Sequence, residues 1–247
     1  MHVGFIGLGM RGSGAIARYT QIDHVEIVAI CDLFQENIDK CQKILSKNGL
    51  PKAAAYSGEN DWKKICERND IDLIYVCTHW ELHTPIAVYA MEHDKHVAVE
   101  VPAALTIEQC WELVNTAERT RKHCMQLENC NYDFFEMATL NMAQKGLFGE
   151  IVHCEGAYIH DLRFLNFDEK GYWDMWRLKH LEKEDGNTYP THGLGPLCHI
   201  MNIHRGDKMN HLVSMSSNQF GMSLYAKNKF GDSSEYAKKT YKYAKKS

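Results

Sequence analysis

Along the first 130 residues, short unbroken apolar runs alternate with longer segments whose apolar positions recur every three or four residues. An unbroken run of this length predicts a strand buried on both faces, whereas the longer period predicts a helix with one face turned inward. The runs lie at 2–6, 25–31, 71–77, 96–101 and 125–127. Between them, 35–48 predicts a helix closed by Asn48-Gly49 with Pro51 just beyond, and 106–121 predicts one opened by Thr106 with Gln109 three residues on. Strand and helix repeated in this order predict an α/β domain built on a doubly wound parallel sheet, spanning 1–130.

Beyond Asn129 the alternation breaks. Residues 132–145 predict a helix, 149–159 a long strand, 194–203 a helix and 212–215 a short strand, with an aromatic-rich loop over 161–186. This pattern predicts a second, α+β domain over 131–247 with too few strands to cover both faces of a sheet. The expectation is therefore an incomplete domain whose apolar surface is left exposed or is covered by a second copy in a homo-oligomer. The lysine-rich stretch 235–247 predicts a solvated helix or frayed end.

Composition narrows the partners. A formal net charge of −4 offers no basic surface for nucleic acid, so a small molecule is the expected partner. The nine cysteines show no C-x-x-C pair, which predicts reduced packing thiols rather than a disulfide framework or a zinc knuckle. No apolar run approaches the roughly 20 residues that span a bilayer. The first strand begins at residue 2 with no leader pattern before it, which predicts a cytoplasmic location unless a leader precedes residue 1.

Candidate chemistry begins at the end of the first strand, where Gly7-Leu8-Gly9-Met10-Arg11-Gly12 leads into a helix of small residues. The first glycine permits the turn, the second admits a pyrophosphate to the backbone, and the third lets helix and strand pack closely. Asp32, 20 residues beyond Gly12 at the end of the second strand, is placed to accept hydrogen bonds from ribose hydroxyls. Leu33 follows it rather than an arginine, so nothing nearby neutralises a 2′-phosphate, and the reading is a Rossmann domain for NAD rather than NADP. A role for Asp32 in capping the next helix is the alternative. Two further loops fall at strand ends, 78–83 with Trp80 and His83, and Glu100-Val101-Pro102. Trp80 and His83 are either cofactor-lining or loop-packing residues.

From the glycine fingerprint to Glu100-Val101-Pro102, the chain resembles the superfamily of glucose-fructose oxidoreductase, inositol dehydrogenase and rhizopine-catabolism proteins (Gfo/Idh/MocA). A Glu-Lys-Pro motif there places a lysine beside the nicotinamide, and Val101 replaces that lysine here. Further motifs resemble glycoside hydrolase family 109, the NAD-dependent α-N-acetylgalactosaminidases. They are Leu127-Glu128-Asn129, the Gly156-Ala157-Tyr158-Ile159-His160-Asp161-Leu162-Arg163 run, Trp176-Arg177, and residues 186–196. The resemblance implies that Met10, Arg11, Asp32, Trp80, His83, Glu100, Val101, Asn129 and Tyr189 surround NAD. It implies that Tyr158, Arg177, Tyr189, Pro190, Thr191 and His192 meet the sugar. Two departures are expected from the resemblance: a further substrate tyrosine of the family falls past residue 247, and the family's usual export leader is absent from this sequence.

Such enzymes depart from the two-carboxylate scheme of ordinary glycosidases. The implied route oxidises C3 of the sugar, takes the acidified C2 proton, expels the C1 leaving group, adds water and restores C3, with no metal. His192 is the candidate base for the C3 hydroxyl, because an imidazole takes and returns a proton near neutral pH. Tyr158 with Glu128 is the candidate pair at C2, and Arg177 the candidate fork onto sugar oxygens. The plainer readings are a packed or capping histidine, a half-buried strand tyrosine, a strand-end carboxylate and an arginine stacked on Trp176. His192, Cys198, His199 and His204 lack a metal-binding helical spacing. A plain sugar dehydrogenase and a non-catalytic NAD-binding fragment stand as alternatives to the glycosidase.

Overall fold

The computed structural model describes residues 1–184, 187, 189–217 and 220–236, and divides into two units, Met1–Glu128 and Asn129–Ser247. Gly186 and Thr188 of the 186–196 motif, and the lysine-rich tail from residue 237, lie outside the described residues.

In the first unit, β1 (His2–Ile6), β2 (Glu26–Cys31), β3 (Ala54–Tyr56), β4 (Leu73–Val76), β5 (His96–Val99) and β6 (Cys124–Gln126) form one parallel sheet in the order β3-β2-β1-β4-β5-β6. The order reverses direction between β1 and β4, and an open parallel sheet offers its ligand crevice at such a switch point. The connecting helices are α1 (Met10–Tyr19), α2 (Gln35–Lys47), α3 (Asp61–Cys66), α4 (His83–Glu92) and α5 (Ile107–Thr120).

Strand side chains alternate between two cores. Ile6, Ile74, Val76, Val97 and Val99 join Ile86 and Met91 on one face, while Val3, Phe5, Tyr75 and Ala98 join Ile16, Ile38 and Leu45 on the other. Burial on both faces is why these strands read as unbroken apolar runs. The strands predicted within 1–130 are all present, shortened to four residues at β4 and β5. β3, at three residues, is an addition too short to leave a sequence pattern. Thr106 caps α5, its hydroxyl accepting from the Gln109 N–H at 3.2 Å.

The second unit contains α6 (Phe134–Gln144), α7 (Arg163–Asn166), α8 (Trp176–Leu181), α9 (Thr191–Ile200) and α10 (Gly221–Phe230). Here the structure departs from expectation: among the described residues no strand forms in this unit, and 149–159 and 212–215 run without a ladder partner. An extended segment becomes a strand only when a neighbour takes its backbone hydrogen bonds. One isolated bridge, Ile203 to Asp207, is present. A small core of Phe167, Met175, Leu178 and Ala226 holds α7, α8 and α10 together. Among the described residues, no helix is long and apolar enough to cross a membrane.

Candidate functional site

The cradle in the first unit is built from backbone. Gly7 turns the chain out of β1 with a φ of +89°, and its N–H donates to the Cys31 carbonyl at 2.9 Å. A Cβ on Gly12 would stand 2.0 Å from the Gly7 carbonyl oxygen, so only glycine lets α1 start this close to the turn. A Cβ on Gly9 would meet no heavy atom within 4 Å. Gly9 is the residue that caps α1, and the N-terminus of a helix favours an anion through its backbone N–H groups and dipole. These residues fit the pyrophosphate of a dinucleotide.

Asp32, just past β2, is held from three sides. One carboxylate oxygen accepts from the Leu8 N–H at 2.6 Å, and the other from the Phe34 N–H at 2.9 Å and the Asn37 amide at 3.0 Å. Asn37, in the first turn of α2, is a supporting residue that the motif did not point to. The capping alternative for Asp32 is thus present in part, since Phe34 precedes α2. The remaining lone pairs of a carboxylate fixed in this way can still accept from a ribose.

Glu100 is buried past β5, where one of its oxygens accepts from both the Arg11 Nε–H, at 2.9 Å, and the Tyr75 hydroxyl. Burial and the Glu100 charge push the Tyr75 phenol well above its ordinary value, so it stays a donor. Burial works to lower the Arg11 value, but the hydrogen bond and charge of Glu100 prevail and raise it. Tyr75 escapes sequence reasoning because in a buried strand it looks like any other core aromatic. Met10, beside Arg11, is exposed.

Trp80 and Val101 are buried, and His83 is only 1% exposed. The His83 Nδ1 lies 2.7 Å from the Pro102 carbonyl oxygen and its Nε2 lies 3.0 Å from that of Thr78. Burial lowers the His83 pKa, although both carbonyls oppose the shift. Its side chain therefore sits between the loops that follow β4 and β5. Glu128, also buried, ends this unit just past β6.

The second unit brings several of its candidates together. The Tyr158 ring lies 4.9 Å from His192 and 5.4 Å from Tyr189, and Tyr189 lies 4.9 Å from His192. The Arg177 guanidinium sits 5.1 Å from the Tyr189 ring centre and donates to the Tyr172 hydroxyl at 3.0 Å. The sequence supplies this meeting through two glycines. A Cβ on Gly156 would stand 2.5 Å from the Gly193 carbonyl oxygen, so the 149–161 segment lies directly on the first turn of α9. Pro190 and Thr191 lead into that turn, placing His192 one residue inside α9. Asn129 opens a 3-10 turn and reaches Cys130 with its amide. Tyr172 and His160, which the sequence reading gave no role, both bond to members of this group.

A switch-point crevice with a glycine cradle and an acid at the end of β2 is the arrangement of a dinucleotide-dependent class of protein. The chain belongs to the oxidoreductase family with the NAD-binding Rossmann fold, whose model matches residues 1–127. Residues 132–245 match the model described as glycosyl hydrolase 109, C-terminal domain. An alpha-N-acetylgalactosaminidase of Bacteroides fragilis is 56% identical over 244 residues, covering 98% of this chain and 57% of the relative. A glycosyl hydrolase family 109 protein of Porphyromonas gingivalis is 55% identical over 94% of this chain and 49% of its own length. The chain thus spans about half the length of the curated relatives it matches. Among solved structures, the fold resembles myo-inositol 2-dehydrogenase of Lactobacillus plantarum, with a TM-score of 0.65 and 19% identity over 82% of this chain and 56% of that one.

Proposed function

We propose that this chain serves the NAD-dependent cleavage of terminal α-N-acetylgalactosaminides. The observation that carries the reading is the meeting of Tyr158, Tyr189, His192 and Arg177 in a unit matching the family 109 model. The two named relatives and the glycine cradle support it. Gly9 and the start of α1 receive the pyrophosphate, and Asp32 takes the ribose. A 2′-phosphate at Asp32 would meet a like charge, so NAD is preferred over NADP. Bound NAD supplies a reversible two-electron acceptor for C3 of the sugar.

His192 takes the proton of the C3 hydroxyl and later returns it. Tyr158 moves the C2 proton, and Arg177, steadied between Tyr172 and Tyr189, forks onto sugar oxygens. Buried Val101 stands where the superfamily motif carries lysine, which removes the ammonium a plain dehydrogenase would use.

Because C2 loses its proton before water adds, turnover of an aryl α-N-acetylgalactosaminide in heavy water should leave deuterium at C2 of the released sugar, with no build-up of NADH. His192→Ala should slow turnover by roughly a hundredfold while leaving NAD affinity in place. A product without deuterium, or NADH rising in step with product, would replace this reading with that of a sugar dehydrogenase.

A further inference from the structure

We propose that His160 is a positioning residue that takes up the phenol proton of Tyr158, making Tyr158 competent as the base at C2. This rests on the glycosidase reading above. Tyr158 and His160 stand two residues apart in a segment without regular secondary structure, and their side chains meet. Their polar atoms meet, with the Tyr158 hydroxyl 2.9 Å from the His160 Nδ1 and the rings crossed edge to face at 89°. The Tyr158 ring also lies 4.9 Å from His192 and 5.4 Å from Tyr189, so the same tyrosine touches both the cluster and the exposed imidazole of His160.

A phenol keeps its proton at neutral pH and is a poor base until a neighbour takes it. Nδ1 of His160 is that neighbour, and the next residue favours the charge this creates. Asp161 is bound through both oxygens by Arg163, at 2.8 and 2.7 Å, and Arg163 holds its carboxyl down at about 2, so it stays ionised beside His160.

The step balances. The Tyr158 O–H bond breaks as its proton forms an N–H bond at Nδ1, leaving phenolate and imidazolium. Once C3 is a ketone, the phenolate oxygen takes the C2 proton and the C–H electron pair becomes the enolate. That pair then forms the C1–C2 double bond while the C1–oxygen bond breaks, and the departing oxygen keeps the pair it shared with C1. The imidazolium, open to solvent, gives its extra proton through water to the departing oxygen. Tyrosine and histidine both return to their starting forms.

The test has two arms on the full chain. In nitrogen-15 spectra, Tyr158→Phe should move the His160 Nδ1 resonance downfield by removing its donor; an unmoved resonance overturns the proposal. In heavy water, His160→Gln keeps an acceptor but cannot take a proton, so deuterium incorporation at C2 should fall by roughly tenfold to a hundredfold. Added imidazole should restore His160→Gly. A purely structural histidine would be replaced by glutamine without loss and would ignore imidazole, and that pair of results also overturns the proposal. If the unaltered chain incorporates no deuterium, the glycosidase reading fails by itself, and the His160 resonance still decides whether the Tyr158 proton is shared.

Discussion

Gly9 and Gly12 stand three residues apart and answer opposite demands. At Gly12 the neighbour is backbone, which cannot move aside, whereas at Gly9 the space is open. Gly12→Ala should therefore cost stability, about 1–3 kcal/mol for overpacking, seen as a lowered urea midpoint. Gly9→Ala should keep the midpoint and weaken NAD binding in calorimetry by about tenfold, or ~1.4 kcal/mol. Equal effects of the two substitutions on folding would contradict this division. Both glycines and Asp32 were legible in the sequence because the fingerprint is local and its spacing carries the geometry. Tyr75 was not: its bond to Glu100 joins neighbouring β-strand ends 25 residues apart, and no local pattern records that. His83 reads from the sequence as a loop residue, whereas it opens α4 and lies against carbonyls of two separate loops.

Among the elements, those buried on two faces were read most faithfully, since an unbroken apolar run needs no partner to be recognised. The threonine cap of α5 was equally plain, and Thr106→Ala should remove about 1 kcal/mol by leaving the Gln109 N–H without its acceptor. Urea unfolding monitored by circular dichroism checks this, and an unchanged midpoint would show that the cap contributes nothing. The 149–159 and 212–215 segments were misread for a physical reason. Their composition favours a strand, but a ladder depends on a second strand that no local pattern guarantees, and these residues carry no regular secondary structure. The Gly156–Gly193 approach escaped the reading as well, because each glycine matters only in the presence of the other.

At the scale of the molecule, the first unit has two cores of buried apolar residues, while the second has one small core and leaves several apolar residues almost wholly exposed. Ile159 and Met215 are each 94% exposed, Val152 is 91% exposed and Leu212 is 89% exposed. Exposed apolar residues on segments outside any sheet or helix invite association with another chain. Native protein should therefore bind a hydrophobic dye and self-associate with rising concentration in light scattering, and Ile159→Lys with Leu212→Lys should reduce both. A dye-silent monomer at every concentration would refute this.

The His83 bridge between the loops after β4 and β5 bears on how such a domain can be altered. Each loop supplies one carbonyl to a shared imidazole, so neither is an independent cassette. Transplanting residues 78–83 from a relative with a different cofactor habit would carry the imidazole but not the Pro102 carbonyl shaped to meet it. Successful grafts, in the laboratory or over evolutionary time, should therefore exchange the two loops as a matched pair.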